Sequence, residues 1–516
     1  MKSLLRFMIM LTLTAALCLC LGAAAFAQDV AVNAANFPDE VFRAYVAGHD
    51  YDGNGILSDE ERANVRFISL NNRGLSSLKG IEFFTELTSL YCSGNQLTGL
   101  DISRNTSLTN LNCSSNRLTS LNVSGNTSLT SLSCDSNQLT DLDVSQNTSL
   151  FNLSCSGNQL TNLDVSHNTS LTELQCGRNQ LTGLNVSYNT SLTSLGCDGN
   201  QLTELDVSHN TSLTSLHCSN NQLTSLDVRR NTALTELSFI MNQLTGLDVS
   251  HNTALTSLSC ASNPLTSLDV SHNTALTYLL CSSNRLTSLD VSHNTALTNL
   301  QCTNNQLTGL DISHNTALKT LSCASNRLTS LDASHNTALT WLDCGYNQLT
   351  GLDIRKCTDL SYLSCAGNNM TTLDISRCPA LVSLVENQEP EISYGQIRYG
   401  QGANCLEYKE GVTLITVPGS GPAPDFILPA DLTTMETEAF AGGAFTYVLV
   451  PAGVERINNG TFANCPSLQY VEIQGAQTTI SDNAFGSRTD FTIIAPTGSA
   501  AATWANQHNV NFIPAA

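Results

Sequence analysis

The chain has 516 residues and a formal net charge of −21 at pH 7 with His neutral. So acidic a surface repels nucleic-acid phosphates and anionic membrane surfaces, so neither is an expected partner. Only 13% of the residues are Asp, Glu, Lys or Arg, against about 25% in an ordinary globular domain, and Ser, Thr and Asn fill the gap in a pattern that proves to be a repeat.

At the N-terminus, Lys2 and Arg6 precede an apolar run from Leu11 to Leu21, then Ala25-Phe26-Ala27 ahead of Gln28. This is the charged, apolar and small-residue order of a secretory signal peptide, so residues 1–27 are assigned to export and the mature protein to the extracellular space or cell envelope. The run is too short for a membrane span. Cys18 and Cys20 each follow a Leu, where lipoprotein processing wants a small residue. No later stretch is apolar enough to cross a bilayer, so no membrane insertion is expected once the signal is removed.

Residues 28–66 read as a cap. An amphipathic stretch from Phe37 to Tyr45 predicts a short helix, and the acidic segment Asp50–Glu61 follows it. Its sequence, Asp50-Tyr51-Asp52-Gly53-Asn54-Gly55-Ile56-Leu57-Ser58-Asp59-Glu60-Glu61, fits the EF-hand pattern D-x-[DN]-x-[DN]-G-x₅-E at every constrained position. Calcium wants six to eight oxygens on a tightly wrapped loop. Asp50, Asp52 and Asn54 offer side-chain oxygens, Ile56 its carbonyl, Ser58 its hydroxyl directly or through water, and Glu61 both carboxylate oxygens. Calcium is therefore the expected cofactor, against the alternative of an acidic loop that binds nothing. Ile56 and Leu57 are both expected to pack toward the cap.

From Leu87 to Leu384 one 21-residue unit, L-T-x-L-x-C-x-x-N-x-L-T-x-L-D-V-S-x-N-T-x, recurs 14 times in register without an insertion. Cys92, Cys113, Cys134 and their successors to Cys365 mark the register, with Phe239 in one slot. In Leu90-Tyr91-Cys92 two inward residues flank an outward one, as a strand with one buried face requires. A single unit cannot bury its own apolar face, but a stack can. Leu97, Leu100 and Ile102 supply a second extended piece for the opposite wall. Ile68-Ser69-Leu70 stands as a half-formed repeat 22 residues before Leu90-Tyr91-Cys92, and the solenoid is assigned to 67–386. The unit resembles the leucine-rich repeat, whose L-x-x-L-x-L-x-x-N/C-x-L pattern matches Leu87 to Leu97. That resemblance implies a mainly β leucine-rich-repeat solenoid with a short helical N-terminal cap.

The unit fails at Glu386, where Cys was due, and residues 387–427 read as an irregular linker. Beyond it Glu438-Ala439-Phe440, Gly460-Thr461-Phe462 and Asn483-Ala484-Phe485 recur at 22 and 23 residues. Ala463 to Leu468 followed by Val471-Glu472-Ile473 resembles the BspA-like leucine-rich repeats of bacterial surface and secreted proteins, assigned to 428–516. A short helix from Ser499 to His508 is expected to close this end.

Three columns of reactive residues run along the repeat. The Cys occupy an inward slot and a ladder does not converge on a metal, so they read as buried structural thiols. Cys357 and Cys378 replace the second Asn of the unit. An outward Asp column runs from Asp101 to Asp374, and His167, His209, His251, His272, His293, His314 and His335 lie three residues after it; a solvated turn is preferred there to a metal or pH-sensing ladder. No G-x-S-x-G, H-E-x-x-H, phosphate loop or Rossmann fingerprint is present, and no enzymatic activity is expected. Most outward strand positions hold Ser, Asn, Thr, Glu or Gln. Tyr278, Leu280, Trp341 and Tyr362 break that habit and, with Asp343, are the candidate ligand face. The expected function is non-enzymatic binding of a protein or glycan, with adhesion or host contact implied by the BspA-like resemblance. A structural spacer without a specific ligand is the alternative.

Overall fold

The computed structural model describes residues 29–388, 390–393, 396–410, 412–415 and 426–515; the export signal assigned to residues 1–27 lies outside them. The architecture is a mainly β solenoid with few helices. Two compact units are present, one running to residue 350 and including 363–369, the other made of 351–362 and the chain from 370 onward.

In the first unit each repeat contributes a strand of three residues, from Ser89–Tyr91 to Trp341–Asp343. Neighbouring strands are parallel and pair like with like 21 residues apart, as in Leu111 with Leu132 and Leu300 with Leu321. The half-repeat joins the same ladder as Phe67–Ser69, with Ile68 opposite Leu90. The middle Leu of each strand and the Cys one residue beyond the strand are buried. The strands stop at three residues because the chain turns left-handed two residues after each Cys. Gly94, Ser115, Ser136 and Arg178 all have φ between +52° and +68°.

An Asn follows each of these turns and stitches two rungs together. Asn137 Nδ2 donates to the carbonyls of Cys113 at 3.1 Å, Cys134 at 3.0 Å and Asp135 at 3.3 Å, while Oδ1 accepts the Leu118 N–H at 3.0 Å. A second Asn column serves the far turn with half the chemistry. Asn231 Nδ2 donates to the carbonyls of Val207 and Asn210 at 3.0 and 2.9 Å, but the buried Oδ1 finds no partner, as at every position of this column from Asn105 to Asn315. The site therefore needs only a donor. That explains Cys378, whose Sγ donates to the carbonyls of Ile354 and Cys357 at 3.8 and 3.5 Å, the same two places in the repeat.

The opposite wall differs from expectation. Leu97 and Ile102 are buried, yet the L-T-x-L-D-V segment stacks without joining a sheet in most rungs. Among the described residues, Thr372–Asp374 in the second unit is the one such segment that forms a named strand, parallel to Thr413–Ile415, while Asp332 and Asp353 are single bridge residues. The turn that follows is closed by side chains, which take over hydrogen bonds a ladder would otherwise make.

At the N-terminal end, helix Glu40–Ala47 is capped by Asp39, whose Oδ1 accepts the N–H groups of Val41 and Phe42 at 3.0 and 3.2 Å. The other oxygen of Asp39 accepts the N–H and hydroxyl of Ser76 at 2.9 and 3.1 Å, tying the cap to the half-repeat. Burial pushes the Asp39 carboxyl up, and the bonds from Ser76, Phe42 and Ser77 outweigh it, so its pKa lies below the usual range. Phe37, Phe42 and Phe84 fill the space between helix and first rung and are fully buried.

The second unit corrects one expectation. Residues 387–427, read as irregular, contain an antiparallel meander: Glu391–Ser393 pairs with Gln396–Gln401, which pairs with Asn404–Lys409. Helix Pro379–Asn387 precedes it, opened by Pro379 at its first turn, where a missing N–H costs nothing. Farther on, strands at 426–427, 447–450, 470–473, 492–496 and 511–515 form a parallel sheet. Phe440, Phe462 and Phe485 stack behind it at centroid spacings of 5.7 and 5.6 Å. Helix Ala500–Gln507 packs on the last strands, its N-cap supplied by Ser499.

Candidate functional site

Segment Asp50–Glu61 connects helix Glu40–Ala47 to helix Asp59–Asn64. Its far side is pinned by an antiparallel bridge in which Ala31 faces Ile56 and Val30 faces Leu57. Gly53 and Gly55 adopt φ of +70° and +80°, a region costly for other residues, and this folds the loop back on itself. Asp50 then accepts the Gly55 N–H at 2.7 Å and the Asn54 N–H at 3.1 Å. Asn54 Oδ1 accepts the Ile56 N–H at 2.7 Å. Glu61, buried on the second helix, accepts the Tyr51 N–H at 2.7 Å through one oxygen, and the Ser58 N–H and hydroxyl at 2.9 and 2.8 Å through the other. Those bonds from Ser58, then from Tyr51, hold the Glu61 carboxyl below its ordinary pKa.

The result is convergence: Asp50, Asp52 and Glu61 each bring an oxygen to within 4.8 Å of the others. Three carboxylates that close repel one another, and the donor set is all oxygen, which fits a hard divalent cation of calcium size. Asn54 and Ser58 stand at the remaining side-chain positions of the motif. One detail departs from expectation. Leu57 is fully buried, but the Ile56 side chain is 37% exposed, since alternate residues of a strand face opposite ways.

Two of the three columns along the solenoid have local explanations. All 13 ladder Cys are buried and none forms a disulfide. Burial pushes the pKa up in those from Cys92 to Cys344, for example to about 12 at Cys113 and Cys302. Thiolate-directed reagents should therefore label the ladder only after denaturation; rapid labelling of several Cys in the folded chain would refute this packing. Each Asp of the outward column turns its carboxylate onto the residue two positions on, as Asp164 Oδ1 accepts the Ser166 N–H at 2.9 Å. Asn122 and Asn185 make the same bond to Ser124 and Ser187. The Ser hydroxyl and N–H together hold the carboxyl pKa down.

On the strand face, Tyr278, Leu280, Trp341 and Asp343 all lie at outward ladder positions and are half-buried rather than open. Tyr278 stands three rungs from Trp341 along the order Tyr278, Asn299, Thr320, Trp341, and its hydroxyl accepts from Gln301 at 3.4 Å. Tyr362 falls in the second unit, at the outward position of its own strand. The structure adds Tyr346, which is 59% exposed on the same rung as Trp341 and Asp343. It occupies the left-handed position at φ +53°. Gly367, one rung on, leaves room for its ring, since a Cβ there would come within 2.7 Å of Tyr346. The signal was an aromatic residue where other rungs carry mostly Ser, Gly or Asn.

Two open hollows break the regular surface. One of about 450 Å³ lies beside the strand face, where Gly177, Gly196 and Gly199 leave room between Gln175, Arg178 and Asp198. The other, about 980 Å³, lies on the far wall and is lined by Asp164, Asn185, Glu204, Asp206 and Asp227 among others.

Comparison with known proteins places these features in context. The BspA-type leucine-rich-repeat region matches residues 421–500 in six copies. The chain is similar to the functional domain of InlJ from Listeria monocytogenes, which includes a cysteine ladder: identity is 37%, coverage is 77% of this chain and 90% of that one, and the TM-score is 0.66. It is also similar to the leucine-rich-repeat protein LIC12759 of Leptospira interrogans, at 25% identity over 65% of this chain and 97% of that one, with a TM-score of 0.55. Against Internalin J of Listeria monocytogenes the match is 42% identical over 71 residues, and it spans 14% of this chain but only 8% of that protein.

Proposed function

The chain belongs to the bacterial leucine-rich-repeat proteins, and from that premise we propose that it is a non-enzymatic, secreted or envelope-associated adhesion-type protein that binds a protein partner on its strand face. The observation that carries the reading is the rung holding Trp341, Asp343 and Tyr346, where two aromatic rings and a carboxylate share one rung of a face whose outward positions are mostly polar. Aromatic side chains contribute disproportionately to binding energy. A spacer would have no need of such a break, and an aromatic in a left-handed turn is retained at a backbone cost. Similarity to the InlJ domain supports an adhesion-type role, and no helix of the described residues is long and apolar enough to cross a membrane.

A protein and glycan array probed with the purified chain tests the proposal. Trp341→Ser with Tyr346→Ser should keep the melting temperature within a few degrees, since both side chains are outside the core, and weaken protein capture at least tenfold. Full capture by the variant, or capture of glycans alone, would overturn the reading. A further part of the proposal is that calcium occupies the loop through Asp50, Asp52, Asn54, Ser58, Glu61 and the Ile56 carbonyl. The ion would supply positive charge that lets three carboxylates share one site and fixes the cap on the first rung.

A further inference from the structure

We propose that the imidazole column His251, His272, His293, His314 and His335 binds divalent transition-metal ions of the zinc class, each ion held by two neighbouring rungs. These five His fall on consecutive repeats and all are exposed. The turn itself does not ask for imidazole, because Arg104, Gly125, Gln146, Tyr188 and Arg230 occupy the same position on other rungs. An unbroken run of metal-ligating side chains is therefore a chemical feature added to an indifferent turn.

The hydrogen bonds beneath the rings orient them. Ser250 donates its single hydroxyl proton to Asp248 at 2.6 Å, so its 3.1 Å contact with His251 Nδ1 is made with Nδ1 as the donor. Nδ1 then carries the ring proton and Nε2 presents a bare lone pair to solvent. Ser271, Ser292 and Ser313 bond Asp269, Asp290 and Asp311 through their N–H groups. Each also contacts Nδ1 of the next His, at 3.1, 3.2 and 3.2 Å. A carboxylate acting through a hydroxyl on the far ring nitrogen orients an imidazole for ligation.

Spacing decides how many ligands one ion can take. Rungs stack ~4.8 Å apart, and two nitrogens on a tetrahedral zinc stand about 3.4 Å apart, given Zn–N bonds of ~2.0–2.1 Å. Opposite tilts of two exposed rings close that difference, whereas a ring two rungs away is out of reach. Among the described residues no three His come together within 4.8 Å, as a pairwise mode requires; water completes the coordination. The Asp column alongside adds favourable charge, and Asp311 lies close enough to interact with both His314 and His335. His167 and His209 have no His on an adjacent rung and serve as internal controls.

The test titrates untagged, calcium-saturated full-length protein with zinc, followed by calorimetry. Five consecutive rungs accommodate about two ions in pairs. The variant His272→Gln with His314→Gln leaves no two adjacent His and should weaken zinc binding at least tenfold. His251→Gln with His335→Gln preserves an adjacent pair and should retain about one ion. Gln146 already fills this slot in one repeat, so both variants keep the fold, which the calcium response of the cap reports independently. Absence of zinc binding by the wild type, or equal binding by the two variants, would overturn the proposal.

Discussion

Saturating calcium should raise the melting temperature of the full-length chain, and Glu61→Gln should abolish the rise. A ligand that binds only the folded loop stabilises it by ~2.7 kcal/mol at one hundred times its dissociation constant. That stabilisation reaches the solenoid because Asp39 bonds both the first helix and Ser76, and Phe37, Phe42 and Phe84 are buried together beneath it. Glu61 is the sensitive residue because it closes the ligand set from the second helix. Gln in its place removes a charge and one oxygen while still offering an acceptor to Ser58, so the apo fold survives. Calorimetry should show an affinity at least ~100-fold weaker, equivalent to ~2.7 kcal/mol. Equal heats for wild type and variant, or a wild-type melting point indifferent to calcium, would refute the site.

Replacing Asn221 with Ala should cost about 4–6 kcal/mol, read as a lower urea midpoint. The side chain donates to the carbonyls of Cys197, Cys218 and Ser219 and accepts the Leu202 N–H. The carbonyls keep other donors: Asn200 bonds Cys197, Asn242 bonds Cys218, and the Gly199 N–H bonds Ser219. Leu202 has no such alternative, so its buried N–H is stranded, at ~1–3 kcal/mol, on top of about 1 kcal/mol for each bond lost. The second column behaves differently. Asn231→Cys keeps a donor for the carbonyls of Val207 and Asn210, as Cys378 does for its own pair, and should cost about 1 kcal/mol or less. If the two substitutions were equally damaging, the division of labour between the columns would be wrong.

The solenoid was legible because every rung repeats the same decision. The Cys spacing from Cys92 to Cys365 fixes a register that any insertion would have broken. The acidic loop was legible because its glycines and carboxylates sit at positions that one geometry demands. Residues 387–427 were not, because the alternation in Gln396–Gln401 and Asn404–Lys409 is short and interrupted by Gly400 and Gly402, so loss of the 21-residue period looked like loss of structure. Tyr346 escaped because its slot is a turn, where side-chain direction depends on a left-handed backbone that composition does not announce. The half-burial of Trp341 and Tyr278 was equally invisible, since it depends on side chains of neighbouring rungs that the repeat pattern leaves variable.

The cross-rung Asn contacts also govern what happens under tension. A pull along the stacking direction loads the rungs in series, and each interface carries the same short set of bonds, such as those of Asn137 to Cys113 and Asn158 to Cys134. The interface that yields first releases 21 residues, which is about 70 Å of contour at ~3.3–3.6 Å per residue, while the stack gives up only the ~4.8 Å of one rung. Extension therefore proceeds in discrete steps at nearly constant force, and the filament dissipates a shear load by peeling while its remaining rungs stay folded.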